Sequence, residues 1–141
     1  MRSHITIVFC CLSPMVAFSQ MSKDIPVMKG TMGADISSDK IVVREPKVSF
    51  SSSEKEAFSV VDGIVRQVSN FNVVIESNGL FYIYQDVRGN GALTGKEIKR
   101  GDEIGTMYFN DDKKSYSLYI AVVQPPKHYL PYKEIVQLLT K

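Results

Sequence analysis

The stretch FNVVIESNGLFYIYQDV, residues 71–87, decides the fold class. Val73 and Ile75, then Tyr82 and Tyr84, fall on alternating positions, the period of a strand with one buried face. Between the two runs stands Ser77-Asn78-Gly79. Asparagine and glycine tolerate the positive φ of a tight turn, so the stretch predicts an antiparallel hairpin.

Working outward, the same signals recur. AFSVVDGIVRQV, residues 57–68, carries β-branched residues on both sides of Asp62-Gly63 and reads as strand, turn, strand. GTMYF (105–109) and YSLYIAVV (116–123) read as two more strands that turn through Asn110-Asp111-Asp112. LTGKEIKRGDEIG, residues 93–105, joins the two groups. There Leu93, Ile98 and Ile104 are expected to point inward. Gly95, Gly101 and Gly105 are expected to turn the chain, with Lys96, Lys99, Arg100 and Asp102 in solvent. Acids interleave with the bases, so a solvated face is the favoured reading over an anion site. No helix start follows the glycines, as a phosphate loop would require.

The flanks are weaker. SFSSSEKE (49–56) is polar and predicts a loop, Ile41-Val42-Val43 a short strand, and Met21 to Gly33 an extended entry segment. Tyr132 to Leu139 alone suits a helix, with Ile135, Leu138 and Leu139 at helical spacing and Pro131 near its start. The fold class expected is therefore mainly β: one small domain of short antiparallel strands, its core at about 57–123, with a short C-terminal helix.

The first residues read differently. Arg2, the apolar run Ile5–Phe9 and Met15–Phe18, and the small-x-small site Ala17-Phe18-Ser19 make a secretory signal over 1–19. The domain then spans 20–141, and export to the periplasm or beyond is expected. Cys10 and Cys11 both lie in that signal, so the mature chain is expected to hold no disulfide. Its 16 basic residues against 15 acidic ones, after loss of Arg2, give no electrostatic case for nucleic acid. No later segment is long and apolar enough to span a bilayer.

The spacing Gly-x-x-Ile-x-x-Gly-x-x-Ile-Gly resembles two groups, in which it builds a small hammerhead-like turn segment. Biotinyl and lipoyl carriers need a lysine on a hairpin tip. Val27-Met28-Lys29 is the only similar string, and Asn78-Gly79 carries none. The LytM or lysostaphin-type peptidoglycan endopeptidases match further: FSVVDGIVRQV, NVVIESNGLFYIYQDV, TGKEIKRGDEIGTM and YSLYIAV are similar to their successive motifs, in order. That resemblance covers roughly Pro26 to Pro131 and implies a LytM-like β-sheet core.

It also implies a zinc site, held by a histidine, an aspartate and the second histidine of a His-x-His strand. Three such ligands leave a coordination position for the attacking water. Carried across by residue, every ligand is absent. Glu45 and Ser49 stand at the first histidine and the aspartate, Ser115 and Ser117 at the His-x-His pair, and Asp86 at a catalytic histidine. A second register keeps Asp35 but puts Thr31 at the histidine. The conclusion survives either register, because no histidine lies between His4 and His128.

Other chemistry is weaker still. Asp111-Asp112 suits calcium better than zinc, yet adjacent acids in a polar turn are usually solvated. His128 follows Pro125-Pro126-Lys127 and reads as a surface residue without a serine partner. Glu45, Glu76 and Asp86 show no sign of a glycosidase pair. Tyr82, Tyr84, Tyr116 and Tyr119 lie on strands that would flank the family's cleft; packing across a sheet is the favoured role. The expectation is a degenerate LytM-type domain without catalytic, metal or cofactor residues. Glu45, Ser49, Asp86, Ser115 and Ser117 line its vestigial cleft. Its partners would be peptidoglycan, a cell-wall hydrolase or another envelope protein. A peptidase with a divergent site and a structural subunit of an envelope assembly are the alternatives.

Overall fold

A computed structural model describes residues 23–34 and 45–141. The expected signal peptide with its cysteines, the strand at Ile41–Val43 and Asp35 lie outside the described residues.

The strands are β1 Lys23–Ile25, β2 Met28–Ala34, β3 Val48–Ser52, β4 Glu56–Phe58, β5 Gly63–Val68, β6 Asn72–Ser77, β7 Leu80–Gln85, β8 Val87–Gly89, β9 Glu97–Ile98, β10 Glu103–Asn110, β11 Ser115–Gln124 and β12 His128–Tyr129. A 3-10 turn, Gly91–Leu93, precedes β9, and helix α1, Tyr132–Leu139, closes the chain. Eight strands run in the order β1-β2-β3-β11-β7-β6-β5-β9, and every pairing is antiparallel. β10 leaves the edge of β11 and forms a small second sheet with β4 and β8, and β12 pairs with the far end of β11.

The hairpin over 71–87 forms as its residues predict. Ser77 pairs with Leu80, and Asn78 and Gly79 take φ of 51° and 79°. Val73, Ile75, Tyr82 and Tyr84 all face inward. They join Val48, Phe50, Leu118, Ile120 and Val122 of the large sheet, Ala57, Val87, Ile104 and Met107 of the small one, and Ile135 and Leu139 of α1 in a single core. Helix α1 has the bounds expected. The carbonyl of Pro131 accepts from the N–H groups of Glu134 and Ile135, and Glu134 in the first turn suits the helix dipole.

Three expectations fail, each for a tertiary reason. Residues 49–52 are not loop: they belong to β3, between β2 and β11. Val48, Phe50 and Ser52 are buried there and Ser49 and Ser51 face out, an alternation that the serine content hides. Residues 56–58 are also strand, leaving 53–55 between β3 and β4. Asp62-Gly63 is not a hairpin turn, because β4 pairs with β10 while β5 pairs with β6 and β9. The intervening residues carry the chain from the small sheet to the large one. They use private hydrogen bonds: Ser59 N–H to Asp102 O at 2.8 Å, and Val60 N–H to the buried Tyr84 hydroxyl at 3.0 Å. The entry segment is itself a hairpin, β1 against β2.

Finally, Gly105 is no turn residue, although Gly95 and Gly101 are, with φ of 83° and 93°. Gly105 lies within β10, where a Cβ would stand 2.2 Å from the Arg88 carbonyl oxygen. It is needed for close approach of β8, not for its φ.

Candidate functional site

Pairing register fixes which side chains share the outer face of the large sheet. On β11 the core takes Leu118, Ile120 and Val122, so Ser115, Ser117, Tyr119, Ala121 and Val123 point the other way. Their cross-strand partners on that face are Ser49 and Ser51 of β3 and Phe81, Ile83 and Gln85 of β7, followed by Val74 and Asn72 of β6. Thr31 and Gly33 of β2 extend the face beyond β3, and Tyr108 of β10 stands opposite Ser117. The face is thus a trough of partly exposed side chains, apart from Ala121 and Val123, which are buried.

Its two ends differ. One is apolar: Val74, Phe81, Ile83 and Val123 floor a hollow of about 630 Å³, rimmed by Glu45, Gln67, Lys127 and Tyr129. Burial, and then the adjacent Glu45 carboxylate, push the Tyr129 hydroxyl pKa up. The other end is lined by hydroxyls, in a hollow that holds Thr31, Ser51, Ser53 and Ser115 beside Lys29 and Glu54. Between them the Lys47 ammonium stands 4.7 Å from the centre of the Tyr119 ring and donates to Gln85 Oε1 at 3.4 Å. Ser49 Oγ, opposite Tyr119, donates to the carbonyl of Gly33 at 3.2 Å.

Of the five cleft residues expected from sequence, three share this face: Ser49, Ser115 and Ser117. Ser49 pairs with Tyr119 and Ser51 with Ser117, so Ser49 and Ser117 are diagonal neighbours. Glu45 stands apart, on the rim of the apolar hollow. Asp86 lies past the end of β7, exposed, with φ of 65°, at the corner into β8. The structure does not gather all five around one point. Of the four tyrosines, Tyr82 and Tyr84 are buried on the opposite face and cannot flank a cleft. Burial raises the pKa of both. Tyr116 packs on the core with its ring edge-to-face against Phe109. Only Tyr119 reaches the trough. Sequence reading missed Lys47, Gln85 and Tyr108, because only the register of β3, β7 and β10 against β11 brings them to this face.

The donor set does not fit the zinc that the motif resemblance implies. Ser49 and Ser117 offer neutral hydroxyls, poor zinc ligands. Among the described residues, no three His, Cys, Asp or Glu side chains cluster so as to hold a metal ion. His128 is exposed on β12. A third hollow, of about 690 Å³, lies at the other edge of the sheet beneath Arg66, Glu76, Glu97 and Arg100. There Arg66 is bound to Glu76 at 2.7 Å, and the Arg100 side chain donates to the Lys141 carbonyl.

No family model matches the chain, and no curated protein matches it. Solved structures do. A point mutant of the catalytic domain of the prophage-encoded M23 protein EnpA of Enterococcus faecalis aligns at TM-score 0.49 and 14% identity, over 61% of this chain and 74% of that one. Csd3 of Helicobacter pylori aligns at 0.48 and 21%, over 61% of this chain but 25% of its own. CbpA of L. salivarius REN aligns at 0.47 and 18%, over 64% and 71%. The chain thus spans about a quarter of the Csd3 structure. The M23 or LytM-type peptidase domains are the group that the sequence motifs also resemble. At these scores the likenesses are partial, and none of them carries a residue role.

Proposed function

We propose that this chain is an exported, non-catalytic LytM-like domain of the bacterial cell envelope, acting as a binding, activator or scaffold protein through the trough. One observation carries the reading. Where the motif resemblance calls for zinc ligands, the outer sheet face has the neutral hydroxyls of Ser49 and Ser117. That pair disfavours a metal and leaves a floor of small polar groups next to an apolar hollow. Such a surface suits an extended chain of peptidoglycan or of an envelope protein, with one apolar side chain seated among Phe81, Ile83 and Val123. The role of activator or scaffold is an analogy from motifs and weaker than the binding itself.

The test is a replacement on the trough floor. Ser117 is half-buried, opposite Ser51 and Tyr108. Ser117→Trp fills the trough there and leaves the core face untouched. The expected result is loss of binding to purified peptidoglycan or to a co-purifying hydrolase, with an unchanged far-ultraviolet spectrum and melting temperature. The full chain is also expected to digest no peptidoglycan in the presence of added zinc. A stable Ser117→Trp that binds as well as the parent removes the trough from the account, and zinc-dependent digestion removes the non-catalytic reading.

A further inference from the structure

Beside the trough, at the end nearer Ser117, stands a group that the floor does not explain. Phe71 is 62% exposed, the most exposed large apolar side chain of the described residues. Its ring lies against Tyr108, centroids 5.9 Å apart and planes 25° from parallel. The Arg88 guanidinium covers Tyr108 from 5.7 Å. An exposed ring on a loose loop would be unremarked, but this loop is pinned. Ser69 Oγ accepts from the N–H groups of Phe71 and Asn72 at 3.2 and 2.9 Å. The Phe71 carbonyl accepts from Val87 N–H at 3.1 Å, and the Ser69 carbonyl from Gly89 N–H at 3.1 Å. The Tyr108 hydroxyl donates to the Asn70 carbonyl at 2.6 Å. The cost of ordering Phe71 is thus met by the fold before any ligand arrives.

The charge is also unspent. Arg88 has no ion-pair partner among the described residues, and its guanidinium lies over the Tyr108 ring. Exposed Asn70, next to Phe71 in sequence, offers a polar side chain beside it. A ligand that meets all of this has a flat apolar face for the ring, hydroxyls or amides around its rim, and a carboxylate for the guanidinium. A pyranose ring that bears a carboxylate has those three features together. A protein anchor, by contrast, seats its side chain in a pocket, whereas this ring stands proud of the surface.

We infer that Phe71, Tyr108 and Arg88 form a glycan platform on the bank of the trough, taking the carboxylate-bearing sugar that a cell-wall glycan strand exposes once its stem peptide has been removed. The inference rests on the proposed envelope function, and the two can fail separately. The probes are peptide-free oligosaccharides of alternating N-acetylglucosamine and N-acetylmuramic acid, and the same oligosaccharides with their carboxylates reduced to alcohols. The full chain is titrated with each by calorimetry, alongside Phe71→Ala and Arg88→Gln.

The acidic oligosaccharide is expected to bind about tenfold more tightly than the reduced one at low salt, the worth of one partly exposed charge contact. Phe71→Ala is expected to weaken both by about tenfold, as loss of a stacked ring does. Arg88→Gln is expected to abolish the difference between them. If Phe71→Ala does not fold, Phe71→Leu keeps an apolar contact with Tyr108, removes the ring and reads the same loss. The platform is overturned if the stripped glycan does not bind, or if it binds equally well to Phe71→Ala and Arg88→Gln. Binding only to peptidoglycan with its peptides attached overturns it too, while leaving the trough reading intact. Preference for an acidic, apolar peptide over the sugar assigns the platform to a protein partner instead, and likewise overturns it.

Discussion

Replacing Tyr84 with Phe tests how the two sheets are joined. The Tyr84 hydroxyl is fully buried and accepts from Val60 N–H at 3.0 Å, with the Ser59 hydroxyl also in reach. Val60 belongs to no strand, so no ladder carbonyl replaces the lost partner. Tyr84→Phe keeps the ring and leaves a buried N–H unpaired, which costs about 1–3 kcal/mol at neutral pH. For a chain of this size that lowers the melting temperature by about 4 °C per kcal/mol. The alkaline limb adds a second reading. Burial raises the pKa of Tyr84 well above its ordinary value of 10.0. Its stabilising contribution is therefore complete below the unfolded pKa near 10 and is lost as pH rises further, because only the unfolded chain can release the proton. By pH 11 the parent has lost roughly 1 kcal/mol through this residue alone, while the Phe variant has no such proton to lose. The stability gap between the two proteins should then shrink by roughly 1 kcal/mol between pH 7 and pH 11. Tyr82, Tyr129 and Tyr132 are also raised, but both proteins share them, so they cancel in the difference. Urea unfolding of both proteins at the two pH values measures it. A gap below about 0.5 kcal/mol at pH 7, or one that does not change with pH, would falsify the view that Tyr84 ties the inter-sheet crossing.

Three further outcomes are expected. Gly105→Ala drives a Cβ to 2.2 Å from the Arg88 carbonyl oxygen, so β8 must move off β10; it is expected to cost about 1–3 kcal/mol or more in urea unfolding, whereas Gly79→Ala, with open space around it, should lose only the about 1–2 kcal/mol of a left-handed residue. Purified protein is expected to hold no stoichiometric zinc, and a chelator to leave its melting temperature unchanged, since a bound metal would stabilise the fold by mass action; elemental analysis near one zinc per chain refutes this. Mass spectrometry of protein recovered from the native envelope is expected to show Gln20 as first residue, and an intact Met1 chain confined to the cytoplasm refutes export.

The sequence by itself determined what short-range chemistry controls. Asn78-Gly79 made one hairpin, Gly95 and Gly101 supplied positive-φ corners, and the spacing of Ile135 and Leu139 made the helix. Each of these depends on residues a few positions apart, so it is legible without a fold. The absence of histidine between His4 and His128 was equally plain, and with it the poverty of the chain in zinc ligands. Tertiary structure decided the rest. Serine-rich 49–52 is a strand because β2 and β11 satisfy its backbone on both edges, while Val48 and Phe50 supply the buried face. Apolar Val60 and Val61 are not strand, because the chain must cross between sheets there and the Tyr84 hydroxyl takes the place of a ladder partner. Gly105 looks like its neighbours in sequence, yet it serves a contact with Arg88 seventeen positions earlier. The trough depends on register above all: pairing β3 and β7 against β11 one residue differently would turn Ser49 and Gln85 inward and leave Tyr119 on the outer face without them. A strand's period fixes which residues lie together on one of its faces, but only its neighbours decide which face meets water.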